Sequence, residues 1–524
     1  MQKSFYTLFF MLLLGISTSN AQSYVVSGIE KTDKEEMQYE VLGKVGARYW
    51  IFKKNGNIST IAQYNEQMQL VKQNDLPFLP ATVNSIEFIK QDNKLVAFYQ
   101  FQAKTTLYAA AAILDAEGQL VGAPKIVDTV EKIRPGSGAK VFNLVQSDDH
   151  SKIALFTVNT TKASNIKVKV LSLSTQFEIN SEASISVNSA SKKSNLSDFA
   201  IDNAGNLFCL RNTTQQNAAP AVSLLFLAAS GTEVVETPVI NNNFLLDDIR
   251  LKIDNQNARI LLNSFYATSK KANIEGMFSY LWDINSRKEI ALNANRFTDA
   301  NRAAISTKRN VKDAFDTYYI DKVNPQADGS YTVISEAAET YSNRSAFSRW
   351  DYFYGGAFYN PFMFNYWNRP FGFYPWSRFG YGFGMGWGFG GPWMNPYAGF
   401  GYNSVTYTAG KVAMINFDAK GNLNWIKSID KSQSDRNVDQ FIGYGTLQNS
   451  NGLNFVYYEK AKGIHSLVVN TLMPNSQLAK GSSIILQDKN FEWMPRSLKQ
   501  VGENEAILPY QFKNKIGFAK IQFK

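Results

Sequence analysis

The chain has almost none of the residues that metal and nucleophile chemistry draws on. Two histidines, His150 and His465, and one cysteine, Cys209, are spread over 524 residues. One cysteine excludes a disulfide framework, and so few ligands nearly exclude metal sites and His-based triads. Neither histidine stands in a His-Glu-x-x-His spacing, and no G-x-S-x-G elbow or Walker loop occurs. His150 belongs to the turn Asp148-Asp149-His150-Ser151, where an exposed loop position is expected; His465 opens a strand-like run. Cys209, between Phe208 and Leu210, reads as a buried unpaired thiol. Charge is sparse at 19%, and the formal net charge of +10 comes from scattered residues, so no nucleic-acid partner is expected. Helical periodicity is nearly absent, and no helix-forming apolar run long enough to span a bilayer follows the first 22 residues.

Residues 1–21 read as a secretory signal peptide: Lys3, the apolar run Phe5–Leu14, then Ser19-Asn20-Ala21 with small residues at −3 and −1. The run is too short for a membrane anchor, and no cysteine at the cleavage point offers a lipid attachment. Residues 22–524 are therefore expected as an exported protein, with the periplasm as its compartment and full secretion as the alternative.

From residue 36 onward the chain is a succession of short β-branched and aromatic runs bounded by Gly, Asn, Asp or Ser. The runs recur in a fixed order of four, A to D. The B runs are Arg48–Lys53, Lys94–Phe101, Lys152–Asn159, Asn206–Arg211, Ala258–Phe265, Ser330–Glu336, Gly452–Glu459 and Glu505–Phe512. Ordinary spacing between them is 46 to 58 residues, the size of a four-stranded blade. Turns such as Asp202-Asn203-Ala204-Gly205 join A to B, and Asp115-Ala116-Glu117-Gly118 and Asp418-Ala419-Lys420-Gly421 join C to D. Eight A–B–C sets occur but only seven D runs, while an orphan strand, Ser23–Ile29, precedes the first A. The expected fold is all-β, a single eight-bladed β-propeller closed by the N-terminal strand; seven blades plus a hairpin is the alternative.

Asp418-Ala419-Lys420-Gly421-Asn422-Leu423-Asn424-Trp425 resembles the turn-and-tryptophan signature of bacterial exported propeller repeats, including quinoprotein-like ones. Asp115–Gly118 and Asp202–Gly205 are versions without the tryptophan. The abundance of Asn, Lys, Phe and Tyr, with Ala-Gln at the cleavage site, is similar to exported proteins of bacteria that use type IX secretion, though no C-terminal sorting domain is recognised. In the quinoprotein family adjacent cysteines and Ca²⁺-binding carboxylates serve the cofactor. The lone Cys209 and the single Trp425 speak against that chemistry, so no cofactor is expected.

One interval breaks the period. B run six and B run seven start 122 residues apart, and the excess lies between Glu336 and Lys411, in the B–C connection of blade six (insertion 343–403). Within Asp351–Asn403 there are 22 aromatics and 12 glycines among 53 residues, with no Leu, Ile or Val and only Asp351, Arg369 and Arg378 charged. Blade cores are built from aliphatics, so this is not a missing piece of core. Aromatic rings on a Gly-rich backbone each bury roughly 150–250 Å² on finding a partner. Extended there and back, the segment reaches about 85 Å at roughly 3.3 Å per residue. B–C and D–A connections share one side of a propeller, so the segment leaves from that side.

These features point to a non-enzymatic interaction module. The expected partner is an outer-membrane protein or secretion channel, with the segment as plug or accessory anchor through Trp367, Trp376, Trp387, Phe389 and Trp393. Glycan or lipid-headgroup contact fits the same aromatics. A carbohydrate-binding or carbohydrate-active propeller is the first alternative and a quinoprotein-like oxidoreductase the second. A carbohydrate-active enzyme needs two converging carboxylates; the acidic pairs Asp148-Asp149 and Asp247-Asp248 are expected on surface loops.

Overall fold

The structure is a computed structural model that describes residues 23–30, 37–91, 93–135, 140–161, 165–188, 194–213, 221–231, 233–239, 244–269, 272–306, 311–342, 405–436, 439–461, 463–481, 483–486, 490–513 and 515–523. The signal peptide 1–21 and the insertion 343–403, with Trp367, Trp376, Trp387, Phe389 and Trp393, lie outside the described residues.

Eight antiparallel sheets follow one another along the chain, each a meander of neighbouring strands. In the first, Gln38–Val45, Arg48–Asn55, Ile58–Tyr64 and Leu70–Asp75 pair in that order. Every observed B strand begins within one residue of its expected run, from Arg48–Asn55 to Glu505–Phe512. The chain is an eight-bladed β-propeller, and the seven-bladed alternative drops out. Middle strands are packed on both faces and so read as nearly unbroken apolar runs; Arg259–Ala267 is buried throughout. Outer strands are wet on one face and alternate, as in Val234–Val239.

The described chain divides into two compact units. Residues 36–63 and 71–443 carry sheets one to six. Their core is a series of apolar seams between neighbouring sheets, such as the one in which Phe156 stacks on Phe199 at 4.3 Å. The other unit comprises the N-terminal strand, residues 64–70 and residues 444–524. Here Ser23–Val26 pairs with Lys515–Gln522 as the outer strand of the eighth sheet. Ser27 fixes that strand's end: its N–H donates to Phe518 O at 2.7 Å, its Oγ accepts from Phe518 N at 3.1 Å, and its carbonyl accepts from Tyr510 OH at 3.0 Å. The innermost run of this sheet is split into Phe491–Trp493 and Lys499–Gln500 by a 3₁₀ turn at Pro495–Ser497, where proline cannot donate to a ladder.

One turn recurs between strands. The fourth residue donates to the carbonyl of the first and has positive φ, and the first donates to the fifth, the three-residue hairpin with a bulge. It occurs at Asp115–Gly118, Ser174–Phe177 and Asp418–Gly421. In the sheet-one-to-six unit, these C–D turns rest on the blade before them. Asn74 Nδ2 donates to Glu117 O at 2.8 Å, Gln91 Nε2 to Thr175 O at 2.7 Å, and Asn295 Nδ2 to Gly421 O at 2.9 Å.

Three features differ from expectation. A short helix, Asp299–Ile305, lies between sheets five and six; its connection makes the interval between the fifth and sixth B strands longer than the ordinary spacing. A capping box starts it, with Asn301 N donating to Thr298 Oγ1 and Thr298 N to Asn301 Oδ1. Asp247 and Asp248 belong not to a loop but to the inner strand Leu245–Asp254, beside a register break before Arg250. The sixth blade's middle strands also run past the expected limits, to Tyr331–Ser342 and Val405–Phe417.

Candidate functional site

The two longest described strands, Tyr331–Ser342 and Val405–Phe417, form one hairpin whose pairing continues to Ser342 opposite Val405. Halfway along, Gly410 and Lys411 together face Ala337, a bulge that bends the hairpin and increases its twist. Glycine suits the place because a Cβ at 410 would stand 3.1 Å from that of Ala337.

Beyond the bulge the hairpin leaves the regular blade and gains its own third strand. Val412–Phe417 pairs with Leu423–Ile429, the ordinary outer strand. Thr406–Ala409 pairs instead with Gln433–Arg436. Between these outer segments the chain turns inward at Lys431, whose Nζ lies 2.5 Å from Glu336 Oε1. Lys431 Nζ also donates to Gln433 Oε1 at 3.1 Å, and that oxygen accepts from Gly443 N at 2.8 Å. One lysine thus ties the hairpin, its third strand and the following loop together. Ala338, Tyr407, Ala409 and Ile442 close a small apolar cluster beside it. Tyr318, whose hydroxyl donates to Ile305 O at 3.2 Å, has its pKa pushed up by burial and by the nearby charges of Asp430 and Glu336.

The remaining sequence candidates are held in structural roles. His150 is an exposed turn residue with φ of 61°. His465 Nδ1 is 2.9 Å from Tyr458 OH; because that hydroxyl donates to Phe491 O at 3.1 Å, the imidazole is the donor. Cys209 is buried, and burial followed by the charges of Asp198 and Glu236 pushes its thiol pKa up. Asp148 accepts from Lys252 Nζ and Asn255 Nδ2, each at 2.9 Å, across turns two blades apart. Among the described residues, no three His, Cys, Asp or Glu side chains are grouped so as to hold a metal ion.

Comparison with known proteins adds similarity of fold. No family model matches the chain, and no curated protein matches it. Among solved structures, the WD40 domain of SCAP from fission yeast is 11% identical, with 96% of this chain and 98% of that one covered at a TM-score of 0.37. An ulvan lyase of polysaccharide lyase family 25 is 8% identical, with 95% of each chain covered at 0.38. The β-propeller domain of the Trilobed protease from Pyrococcus furiosus is 8% identical, with 84% and 95% covered at 0.37. At such scores these likenesses say nothing of what the chain binds.

The residues that build the hairpin's base had no motif to give them away. Glu336 and Lys431 are far apart in sequence, and each looks like an ordinary surface charge. The only hint is that the outer run of blade six is followed by a second short polar run, Gln433–Arg436.

Proposed function

We propose that the chain is a non-enzymatic interaction module of the bacterial envelope, retained in the periplasm. It docks on an outer-membrane protein or secretion channel through the Gly/aromatic segment 343–403. The observation that carries this reading is the hairpin base. Ser342 and Val405 face each other at its end, so the segment starts and finishes at one point. The hairpin that leads to that point is braced by a third strand, Gln433–Arg436, and by the buried Lys431–Glu336 ion pair. A segment whose residues 351–403 include 22 aromatics and no Leu, Ile or Val is suited to bury its rings elsewhere.

The test is affinity capture from gently solubilised envelopes, comparing the intact chain with one in which 343–404 is replaced by a short Gly/Ser linker. Recovery of a defined outer-membrane protein by the intact form alone supports docking. Equal recovery by both forms, or none by either, ends it. Binding to soluble glycan without any protein partner would instead favour the carbohydrate-binding reading.

A further inference from the structure

Blade two carries a basic rim on the side from which B–C and D–A connections leave. Its B–C connection is Lys104-Thr105, between the strands Lys94–Ala103 and Thr106–Leu114, and its D–A connection begins at Glu131. The two are stitched together. Ile133 N donates to Thr105 O at 2.9 Å. Gln102 Nε2 reaches the carbonyls of Lys104 and Arg134 at 3.0 Å each and that of Ile133 at 3.2 Å. This scaffold presents Lys104, Lys132 and Arg134, all exposed, and among the described residues no carboxylate pairs with any of them. Lys104 and Lys132 have φ of 55° and 63°. That left-handed backbone favours glycine and penalises any residue with a Cβ, so local geometry does not ask for lysine at either place. On the face of this blade that looks toward blade one, Phe101, partly exposed, stacks on Tyr108 at 5.1 Å and on Tyr99 at 6.0 Å.

The opposite side of the same unit has the other sign. Among described residues of its A–B and C–D connections, nine are acidic and three basic. An anionic surface therefore repels that side and attracts the rim.

We propose that Lys104, Lys132 and Arg134, with the Phe101–Tyr108 pair on the other face of the same end of the blade, form a contact surface for an anionic phospholipid bilayer. Phe101 has other rings stacked against it, so the cluster offers edges and a tyrosine hydroxyl rather than the open flat face that a sugar ring stacks on. Ring edges and hydroxyls together with cations suit the headgroup layer. This surface goes beyond the docking function proposed above and does not involve segment 343–404.

The experiment is co-sedimentation of the full chain with vesicles of phosphatidylglycerol and phosphatidylcholine, against vesicles of phosphatidylcholine alone. Each basic residue near an anionic surface contributes about fivefold in affinity. Lys104→Gly with Lys132→Gly should lower binding to the mixed vesicles roughly 25-fold, and adding Arg134→Gln should bring the loss to on the order of a hundredfold. Both glycine changes relieve backbone strain, so the melting midpoint should hold or rise while binding falls, which separates lost contact from lost fold. Lys152→Gln with Lys420→Gln, on the opposite side, should leave binding unchanged. Phosphatidylglycerol-dependent binding that the three rim changes do not weaken overturns the proposal. So does retention on an acidic polysaccharide, lost in the same variants, without vesicle binding. The linker-replaced chain should bind vesicles normally whether or not it captures a protein partner; if it fails to bind while Lys104→Gly/Lys132→Gly binds fully, the rim is not the contact.

Discussion

Lys431 Nζ stands 2.5 Å from Glu336 Oε1, and neither side chain is more than 1% exposed. Removing one member of such a pair strands the other charge in a medium that solvates it poorly. Lys431→Met should therefore cost about 3–5 kcal/mol in a urea unfolding curve, whereas Lys431→Met with Glu336→Leu should recover much of that loss. A single substitution costing under about 1 kcal/mol would show that the pair does not brace the hairpin.

Replacing 343–404 by a Gly/Ser linker of about eight residues leaves that pair and the third strand in place, and a shorter loop closes at lower entropic cost, by up to about 2 kcal/mol. Calorimetry should find a melting midpoint equal to or above that of the intact chain. A fall of more than a few degrees would mean that the base does not stand alone.

Phe177 and His150 share a backbone conformation, with φ of 58° and 61°, but not an environment. Phe177 is fully buried and lies against Phe98 at 6.0 Å. Its side chain holds it there against strain, so Phe177→Gly should lose at least the roughly 3–5 kcal/mol of a buried Phe→Ala change, offset by about 1 kcal/mol of relieved strain. His150 is exposed, and His150→Gly should raise stability by up to about 1 kcal/mol. Thermal melts of the two variants should move in opposite directions.

Asp149 and Asp328 are two of the four turn carboxylates, with Asp283 and Asp418, whose depressed pKa shapes the acid limb of stability. Asp149 accepts from Ser147 Oγ at 2.5 Å and Ser151 N at 3.0 Å, and these bonds, the Ser147 one foremost, hold its pKa below the ordinary range. Ser330 does the same for Asp328 through Oγ at 2.7 Å and N at 2.9 Å. A carboxylate depressed in the folded state contributes stability that is fully present above its unfolded value, near 3.8, and is lost as pH falls through the folded value. The melting midpoint should decline below about pH 4, and Asp149→Asn with Asp328→Asn should flatten that decline. An unchanged slope in the double variant would remove these two groups from the account.

The blades were legible because a strand's pattern is local. Runs such as Glu505–Phe512 end where their Asn and Gly neighbours end them, and that strand has the expected bounds to the residue. The helix Asp299–Ile305 escaped because two turns are too short to show a period, and its start signal lies in a capping box with Asn in place of Glu. The hairpin's base and the blade-two rim escaped for another reason. Glu336 meets Lys431, and Gln102 meets Arg134, only after strands have paired, and isolated charges look alike until then. Asp247 and Asp248 look like turn residues by type, yet a register break lets an inner strand hold them.

The C–D turns of the six-bladed unit lie on their neighbours as roof tiles do, each lapping the one before it. Glu117 of blade two covers Asn74 of blade one, Thr175 of blade three covers Gln91 of blade two, and Gly421 of blade six covers Asn295 of blade five. Overlap with one sense makes mechanical coupling between blades directional. Loosening a turn uncovers the strand behind it and leaves the blade ahead seated, so damage within the unit creeps toward its N-terminal end.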